Sequence, residues 1–285
     1  MRSLLFLVYC FAALAADNLT QRGDNQRTAV NQAETQLTQQ SVHTRFGKLW
    51  TLFSDAKIMA QPLYVSAMKS DTCPAGCNTV IFASIKGTVY AYKADQKPAT
   101  DNDTLVWAKY LGDPCDGGDD IDAWATDDPW WGILGTPVID PANRLLYVVA
   151  WNKDNNFRLY TLDLQNGQVK KGAVLVQGSV NVNGKTIPFM AGTVQTRKQR
   201  TALLLDHGLL YAGFGGDTSG IAGWLFVYDA DTLALKTLWS PVPGGPNGGI
   251  WMSGTGPLAD QDGPYFSRRP TDNSTRRTTN SETAW

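Results

Sequence analysis

The sequence has few of the residues that bind zinc or nucleic acid. Among 285 residues there are only two histidines and four cysteines, and charged residues make up 18% with no long run of lysine or arginine. Two histidines give little support to a Cys/His zinc cluster. The formal net charge of -1 provides no basic footprint for nucleic acid or for an anionic membrane surface, so we expect neither partner.

The sequence also lacks an apolar run long enough to cross a membrane, which takes roughly 20 residues. The apolar segment at residues 4–14 follows Arg2 and precedes small residues up to Ala16, an order typical of a secretory signal peptide. We therefore predict a signal peptide at residues 1–16 and a protein that is secreted or periplasmic. Cys10 lies inside the apolar run, away from the small residues that a lipidated cysteine would follow.

Export would place the other three cysteines where disulfides persist. Residues 73–77 read CPAGC, and the Pro-Ala-Gly turn can bring the two Cα atoms within the roughly 4.4 to 6.8 Å that a disulfide needs. We predict a structural disulfide between Cys73 and Cys77. Cys115 is left over, either free and buried or awaiting a partner outside this chain.

In contrast, the sequence is rich in internal repetition. A short apolar run, a turn, and a second apolar run ending in an aromatic residue and Asp occur three times, and a fourth copy begins. The copies open at Gln61, Thr136, Thr201 and Gly256, which lie 75, 65 and 55 residues apart. Repeats of this length built from strands indicate a radial or stacked β architecture. We predict an all-β, partial β-propeller of about three and a half four-stranded antiparallel blades at residues 46–266.

Tryptophan supplies large flat surfaces for the crevices between such blades, each burying roughly 150 to 250 Å². We predict interblade packing for Trp107 and Trp239, which close the first and third copies, and for Trp50, which lies in a predicted strand at residues 47–53. Residues 17–45 form a polar segment that leads into the propeller. Residues 267–285 form an aberrant polar tail with almost no apolar residue, and our hypothesis is that the true reading frame or chain is lost near Ser267, by a frameshift or a truncation.

The acidic stretch at residues 113–132 is the best local candidate for a metal site. Closely spaced carboxylates repel one another unless a cation neutralises them, and oxygen ligands suit Ca²⁺. The Ca²⁺ candidates are Asp116, Asp119, Asp120 and Asp122. Their spacing is not that of an EF-hand loop, and a solvated connection between blades is the favoured alternative.

Several stretches resemble the pyrroloquinoline-quinone-repeat propellers of the quinoprotein alcohol dehydrogenase-like group, and especially a set of exported, mostly uncharacterised members. The matching stretches are residues 22–38, 46–50, 60–65, 87–95, 135–150, 223–233 and 248–263. The resemblance covers nearly the whole exported chain. It implies a ring of seven or eight blades, so that this chain would be a fragment, and it implies that residues 22–38 belong to the domain.

The same resemblance implies what an enzyme of this group would need: a quinone over a tryptophan floor, beneath a disulfide between adjacent cysteines, beside a calcium ion with acidic and amide ligands and an Asp base. The sequence has no adjacent cysteines, and no Glu-Asn-Asp set can be assigned by motif. We assign no catalytic residue or cofactor and favour a non-enzymatic binding or scaffold module with a protein or carbohydrate partner. The alternative is part of a pyrroloquinoline-quinone-dependent, calcium-assisted alcohol or sugar dehydrogenase. An incomplete ring also leaves apolar blade faces and strand edges exposed, which predicts self-association.

Overall fold

The computed structural model describes residues 16–117, 129–189, 198–215, 222–243, 248–260 and 263–265. Residues 1–15 of the predicted signal peptide and the polar tail lie outside these ranges. The described chain contains one short helix, α1 (Gln39–Arg45), and otherwise β-strands. No helix in the described ranges has the length and hydropathy that crossing a bilayer requires.

Three four-stranded antiparallel sheets follow one another along the chain, and in each the strands are paired in sequence order. Blade 1 contains β1 (Leu63–Ser70), β2 (Cys73–Ala83), β3 (Thr88–Lys93) and β4 (Leu105–Tyr110). Blade 2 contains β5 (Val138–Asp140), β6 (Leu145–Trp151), β7 (Phe157–Asp163) and β8 (Val169–Leu175). After the hairpin of β9 (Ser179–Val182) and β10 (Lys185–Pro188), blade 3 contains β11 (Leu204–Asp206), β12 (Leu209–Phe214), β13 (Trp224–Asp229) and β14 (Leu235–Trp239). A two-stranded sheet of β15 (Leu258–Asp260) and β16 (Gly263–Tyr265) begins blade 4.

The sheets pack face to face. One core cluster joins apolar side chains of blades 1 and 2, and another joins blades 2 and 3. All seven residues of β6 are buried because the middle sheet is covered on both faces. The predicted architecture is thus confirmed: the chain is a partial β-propeller of three complete blades and the start of a fourth.

An aromatic cluster fills the crevice between blades 2 and 3. Phe157 of blade 2 meets Phe214 of blade 3 with ring centroids 5.1 Å apart. The β9–β10 hairpin, which the repeat pattern did not predict, adds Phe189, whose ring centroid is 4.9 Å from that of Phe226. The hairpin turns at Asn183 and Gly184 with φ values of 50° and 80°, the backbone that a tight Asn-Gly turn adopts. This insertion therefore contributes an aromatic side chain to the hydrophobic core instead of forming only a surface loop.

The strand predicted at residues 47–53 is wrong. This stretch has no regular secondary structure, because no neighbouring strand in the described chain satisfies its backbone groups. Its end instead covers the outward face of blade 1, where Leu52 packs on an aromatic cluster and the ring of Phe53 meets that of Tyr90 edge-on at 6.3 Å. The segment serves as a cover for the blade.

Asp229 ends β13 and organises the turn that follows. One carboxylate oxygen accepts hydrogen bonds from the backbone N–H groups of Asp231 and Thr232 and from the Thr232 hydroxyl. These bonds to Thr232, together with Lys236, lower the pKa of Asp229 to about 2. In the unfolded chain, the Asp229 carboxylate would take up a proton near its ordinary pKa of 3.8.

The depressed pKa predicts a pH dependence of stability. The contribution of Asp229 is fully present above its unfolded pKa and is lost as the pH falls from about 4 toward 2. We expect the thermal midpoint of the Asp229→Asn variant to fall less over this window than that of the wild type, measured by circular dichroism. Equal pH profiles for the two proteins would contradict the assignment.

Candidate functional site

Residues 17–29, which we call the axial strap, run across the inner strands of the propeller. The backbones of Asn18 and Tyr64 of β1 exchange two hydrogen bonds of 2.9 Å. The N–H of Ile139 in β5 donates to Leu19 O at 2.9 Å, and the N–H of Ala259 in β15 donates to Asn25 O at 2.8 Å. In blade 3, the Asn25 amide donates to Leu205 O at 2.8 Å. The strap therefore satisfies polar groups on the inner edge of all four sheets.

Arg27 anchors the strap between blades 3 and 4. Its guanidinium is buried at 6% exposure and donates to Leu203 O and to Pro257 O, both at 3.0 Å. The same group donates to Gln21 O at 2.8 Å and to the Thr20 hydroxyl at 2.5 Å. Burial lowers the pKa of Arg27 to about 10, so the group stays charged at neutral pH. With a longer bond to Asp24 O at 3.5 Å, one side chain thus ties two blades and the strap together through five oxygen acceptors.

Beside the strap lies a cluster that we call the connection site, made of Trp131, Lys198 and Trp251. The Lys198 ammonium lies 4.5 Å from the ring centroid of Trp131 and 5.9 Å from that of Trp251. Each residue belongs to a different interblade connection. Because Lys198 is only 5% exposed, its contacts with both indoles are largely shielded from water, where a cation–π contact is strongest.

Hydrogen bonds join the strap to the two connections in which Trp131 and Trp251 lie. The Gln21 side-chain amide donates to Gly254 O at 3.2 Å, and the Thr136 hydroxyl donates to Oε1 of the same side chain. Arg200 donates to Leu134 O at 3.2 Å, and burial lowers its pKa. These connections therefore place two cations, the buried Lys198 and the half-buried Arg200, near aromatic rings and backbone carbonyls.

The predicted calcium ligands fall mostly outside the described residues. Only Asp116 is described, and it pairs with Trp130 in a β-bridge, while Gly117 donates to Pro129 O at 2.7 Å. Among the described residues, no group of three His, Cys, Asp or Glu side chains comes together as a metal site would require. Asp119, Asp120 and Asp122 belong to the undescribed stretch, so the calcium site stays a prediction.

The three described cysteines carry no sulfur–sulfur bond in the structure and have different surroundings, and the disulfide between Cys73 and Cys77 stays a prediction. Cys73 and Cys77 are half-buried at the start of β2 rather than in a turn between strands, and Cys115 is buried. Burial, followed by the nearby Asp116 and Asp154, raises the pKa of Cys115 to about 11. Cys115 is therefore an unreactive core residue at neutral pH.

The three tryptophans predicted to pack between blades have different environments. The Trp107 indole is buried, donates to Leu164 O of blade 2 at 2.9 Å, and lies against Gly167 of the same blade. Trp239 is half-buried against a cluster that joins β15 to blade 3. Trp50 is half-buried in the irregular segment before β1, and its interblade role stays a prediction.

The sequence analysis did not identify Arg27, which anchors the strap, or Lys198. Trp131 and Trp251 carried a signal that could have been read, because each lies five residues before the opening residue of its repeat, Thr136 or Gly256. Lys198 carried no such signal, because the connection between β10 and β11, in which it lies, shares no sequence pattern with the connections that contain the two tryptophans. Arg27 falls in a stretch matched by the family resemblance, but its partners are about 180 to 230 residues away.

The fold is similar to that of solved dehydrogenases. The quinohemoprotein alcohol dehydrogenase ADHIIG of Pseudomonas putida HK5 matches with a TM-score of 0.50 and 19% identity over 84% of this chain and 29% of the enzyme. The quinohemoprotein alcohol dehydrogenase of Comamonas testosteroni matches with a TM-score of 0.49 and 20% identity over 82% of this chain and 28% of the enzyme. A europium-containing methanol dehydrogenase matches with a TM-score of 0.49 and 16% identity over 79% of this chain and 32% of the enzyme.

The likeness to the Pseudomonas enzyme extends to the fold alone: the chain has the architecture of a quinoprotein alcohol dehydrogenase propeller and spans less than a third of that enzyme's length. No protein-family model and no curated protein matches the sequence.

The Trp131 indole does not offer the free face that a quinone cofactor would need. A planar quinone on a tryptophan floor needs a free indole face, but Lys198 lies over the ring of Trp131, which is itself buried. The inner strands beside this site are bonded to the chain's own strap. We therefore derive no chemical step through such a group.

Proposed function

We propose that this chain is an exported, non-enzymatic binding or scaffold module that engages a protein partner through its N-terminal arm, residues 30–53. The observation that carries the proposal is the concentration of exposed apolar side chains on this arm. Eleven large apolar side chains are exposed among the described residues, and six of them lie on the arm. They are Val30, Leu37, Val42, Phe46, Leu49 and Phe53.

The arm presents these side chains from an irregular backbone. Helix α1, in its middle, buries none of its residues and is held by a capping box between Thr38 and Ser41. Phe46 and Leu49 are 71% and 76% exposed. Leaving apolar surface in water forgoes about 25 cal/mol for each Å², so such a concentration of exposed apolar side chains on one segment favours an interaction surface.

The aliphatic and phenyl character of the arm favours a protein partner over a carbohydrate, whose hydroxyl groups would need polar side chains to pair with. Export is supported by the leader-like order of residues 1–16. Two features weigh against the dehydrogenase alternative. The sequence lacks adjacent cysteines, and the buried Trp131 indole, with Lys198 over its ring, leaves no free face for a quinone.

The arm predicts self-association of the purified chain. We expect light scattering coupled to gel filtration to give a mass that rises above the monomer value with concentration. The Phe46→Ser/Leu49→Ser double variant should stay monomeric, because both side chains are exposed and their loss leaves the fold intact. Lys48→Ser, an exposed polar change between them, is the matched control and should behave as the wild type. A monomeric wild type, or equal association of all three, would overturn the arm as a protein-binding surface.

A second measurement distinguishes a non-enzymatic binding module from a quinone-dependent dehydrogenase. Purified chain is mixed with pyrroloquinoline quinone, Ca²⁺, a dye acceptor and a panel of alcohols and sugars. We expect dye reduction no faster than in the mixture without protein. Turnover that requires the chain would replace the proposal with the dehydrogenase.

A further inference from the structure

The β1–β2 hairpin brings two cysteines to adjacent positions on one face of blade 1. Ser70 lies opposite Cys73, and Met68 lies opposite Cys77. The step from 68 to 70 spans two residues of β1, whereas the step from 73 to 77 spans four residues of β2, so a bulge absorbs two extra residues. Because each strand residue rises about 3.3 Å and side chains alternate, Met68 and Ser70 face the same side about 6.6 Å apart, and the register places their partners Cys77 and Cys73 on one side at a similar spacing. This spacing falls within the roughly 4.4 to 6.8 Å Cα range of disulfides.

The backbone holds the bulge in this form. Gly76 has φ of 95°, and a Cβ at that position would lie 2.7 Å from Ala67 O on the opposite strand. Ala67 itself has φ of 46°, and its N–H donates to the Asn78 side chain at 3.0 Å. The close crossing of Gly76 and Ala67 fixes the chain on both strands, so the relative position of the two cysteines is set by the hairpin and not by the thiols.

The two thiols are close to each other and accessible. Both residues are half-buried, and Cys77 Sγ lies 3.7 Å from the Thr79 hydroxyl. Burial, followed by a hydrogen bond with the Cys73 thiol, raises the pKa of Cys77. Buried Cys115 is on a different part of the fold, after β4.

We propose that Cys73 and Cys77 are a thiol–disulfide exchange site that closes a reversible clasp across the bulge when the protein meets a small-molecule disulfide such as oxidised glutathione. One cysteine thiolate attacks the glutathione disulfide, forms a mixed disulfide and releases one glutathione thiol. The second cysteine then attacks the protein sulfur of the mixed disulfide and releases the second glutathione. The protein dithiol is oxidised to one S–S bond, and one glutathione disulfide is reduced to two thiols.

The test uses the full chain and a single tryptic peptide. Cleavage after Lys69 and Lys86 releases residues 70–86, which contain Cys73 and Cys77 and no other cysteine. Reduced, folded protein is incubated with oxidised glutathione, quenched with acid, alkylated with iodoacetamide in denaturant, and digested. We expect this peptide to lose two hydrogens in mass and carry no alkyl group, whereas the untreated sample carries two. The peptide of residues 110–144, with Cys115 alone, should keep its alkyl group in both samples.

Single variants distinguish a clasp from two independent thiols. In Cys73→Ser and in Cys77→Ser, the remaining thiol should accumulate one stable glutathione adduct, because no second thiol is present to resolve it. The same treatment in denaturant should yield bonds that include Cys115, which would show that the native pairing depends on the hairpin. Two alkyl groups, or two stable glutathione adducts, on the 70–86 peptide of the folded wild type would overturn the proposal.

Discussion

Replacing Arg27 by alanine is expected to lower the free energy of unfolding by about 3 to 5 kcal/mol. The change leaves Leu203 O and Pro257 O without the donors that now pair with them, at a site where the guanidinium is nearly excluded from water. It also removes one of the strap's two attachments to blades 3 and 4 and leaves only the bonds of Asn25. Urea unfolding followed by tryptophan fluorescence should show an earlier midpoint, and an Arg27→Lys variant should fall between the two because an ammonium cannot span the same acceptors.

Arg22 is the matched control for this prediction. It lies on the same strap, is exposed, and its side chain donates to Gly254 O alone at 3.2 Å. We expect Arg22→Ala to change the unfolding free energy by less than about 1 kcal/mol. If Arg27→Ala proved as mild as Arg22→Ala, the strap would be an accessory segment rather than part of the propeller core.

The repeat pattern predicted the blades because each apolar run must be buried, and burial leaves a trace in every strand. The run at 145–151 is an example: its continuous apolar character indicated a strand covered on both faces, and the structure buries all seven residues. The strap could not be predicted in this way. Its contacts are made by polar side chains and backbone atoms, so residues 17–29 read as a polar leader by composition alone, and only the family resemblance placed part of them in the domain.

The predicted strand at 47–53 failed for a related reason. Apolar alternation indicates what a segment can form, but a strand exists only where a neighbouring edge can pair with it. Leu52 and Phe53 bury part of their surface on blade 1 without a backbone ladder, while Leu49 stays exposed. Lys198 presents the opposite case, since a lone lysine in an irregular connection gives no pattern from which its position between two indoles could be inferred.

Trp107→Ala is the second substitution expected to have a large effect, with a loss of about 3 to 5 kcal/mol in unfolding free energy. Its indole is buried in the core cluster that joins blades 1 and 2, so truncation opens a cavity at the interface between two sheets. Gly167, at φ of 70°, allows the turn after β7 to approach the ring so closely that a Cβ there would lie 2.7 Å from it. The fit is made from both blades, which limits how far either one can move to fill the space.

Two companion variants separate the parts of this contact. Trp107→Phe keeps most of the apolar surface but leaves Leu164 O without its donor, and we expect a smaller loss of about 1 to 2 kcal/mol. Trp239→Ala, at the corresponding place in blade 3, should also cost only about 1 to 2 kcal/mol because its ring is half-buried. Chemical denaturation of the three variants would show the order of their losses in unfolding free energy. If Trp239→Ala matched Trp107→Ala, stability would follow the position of tryptophan in the repeat rather than its burial between complete blades.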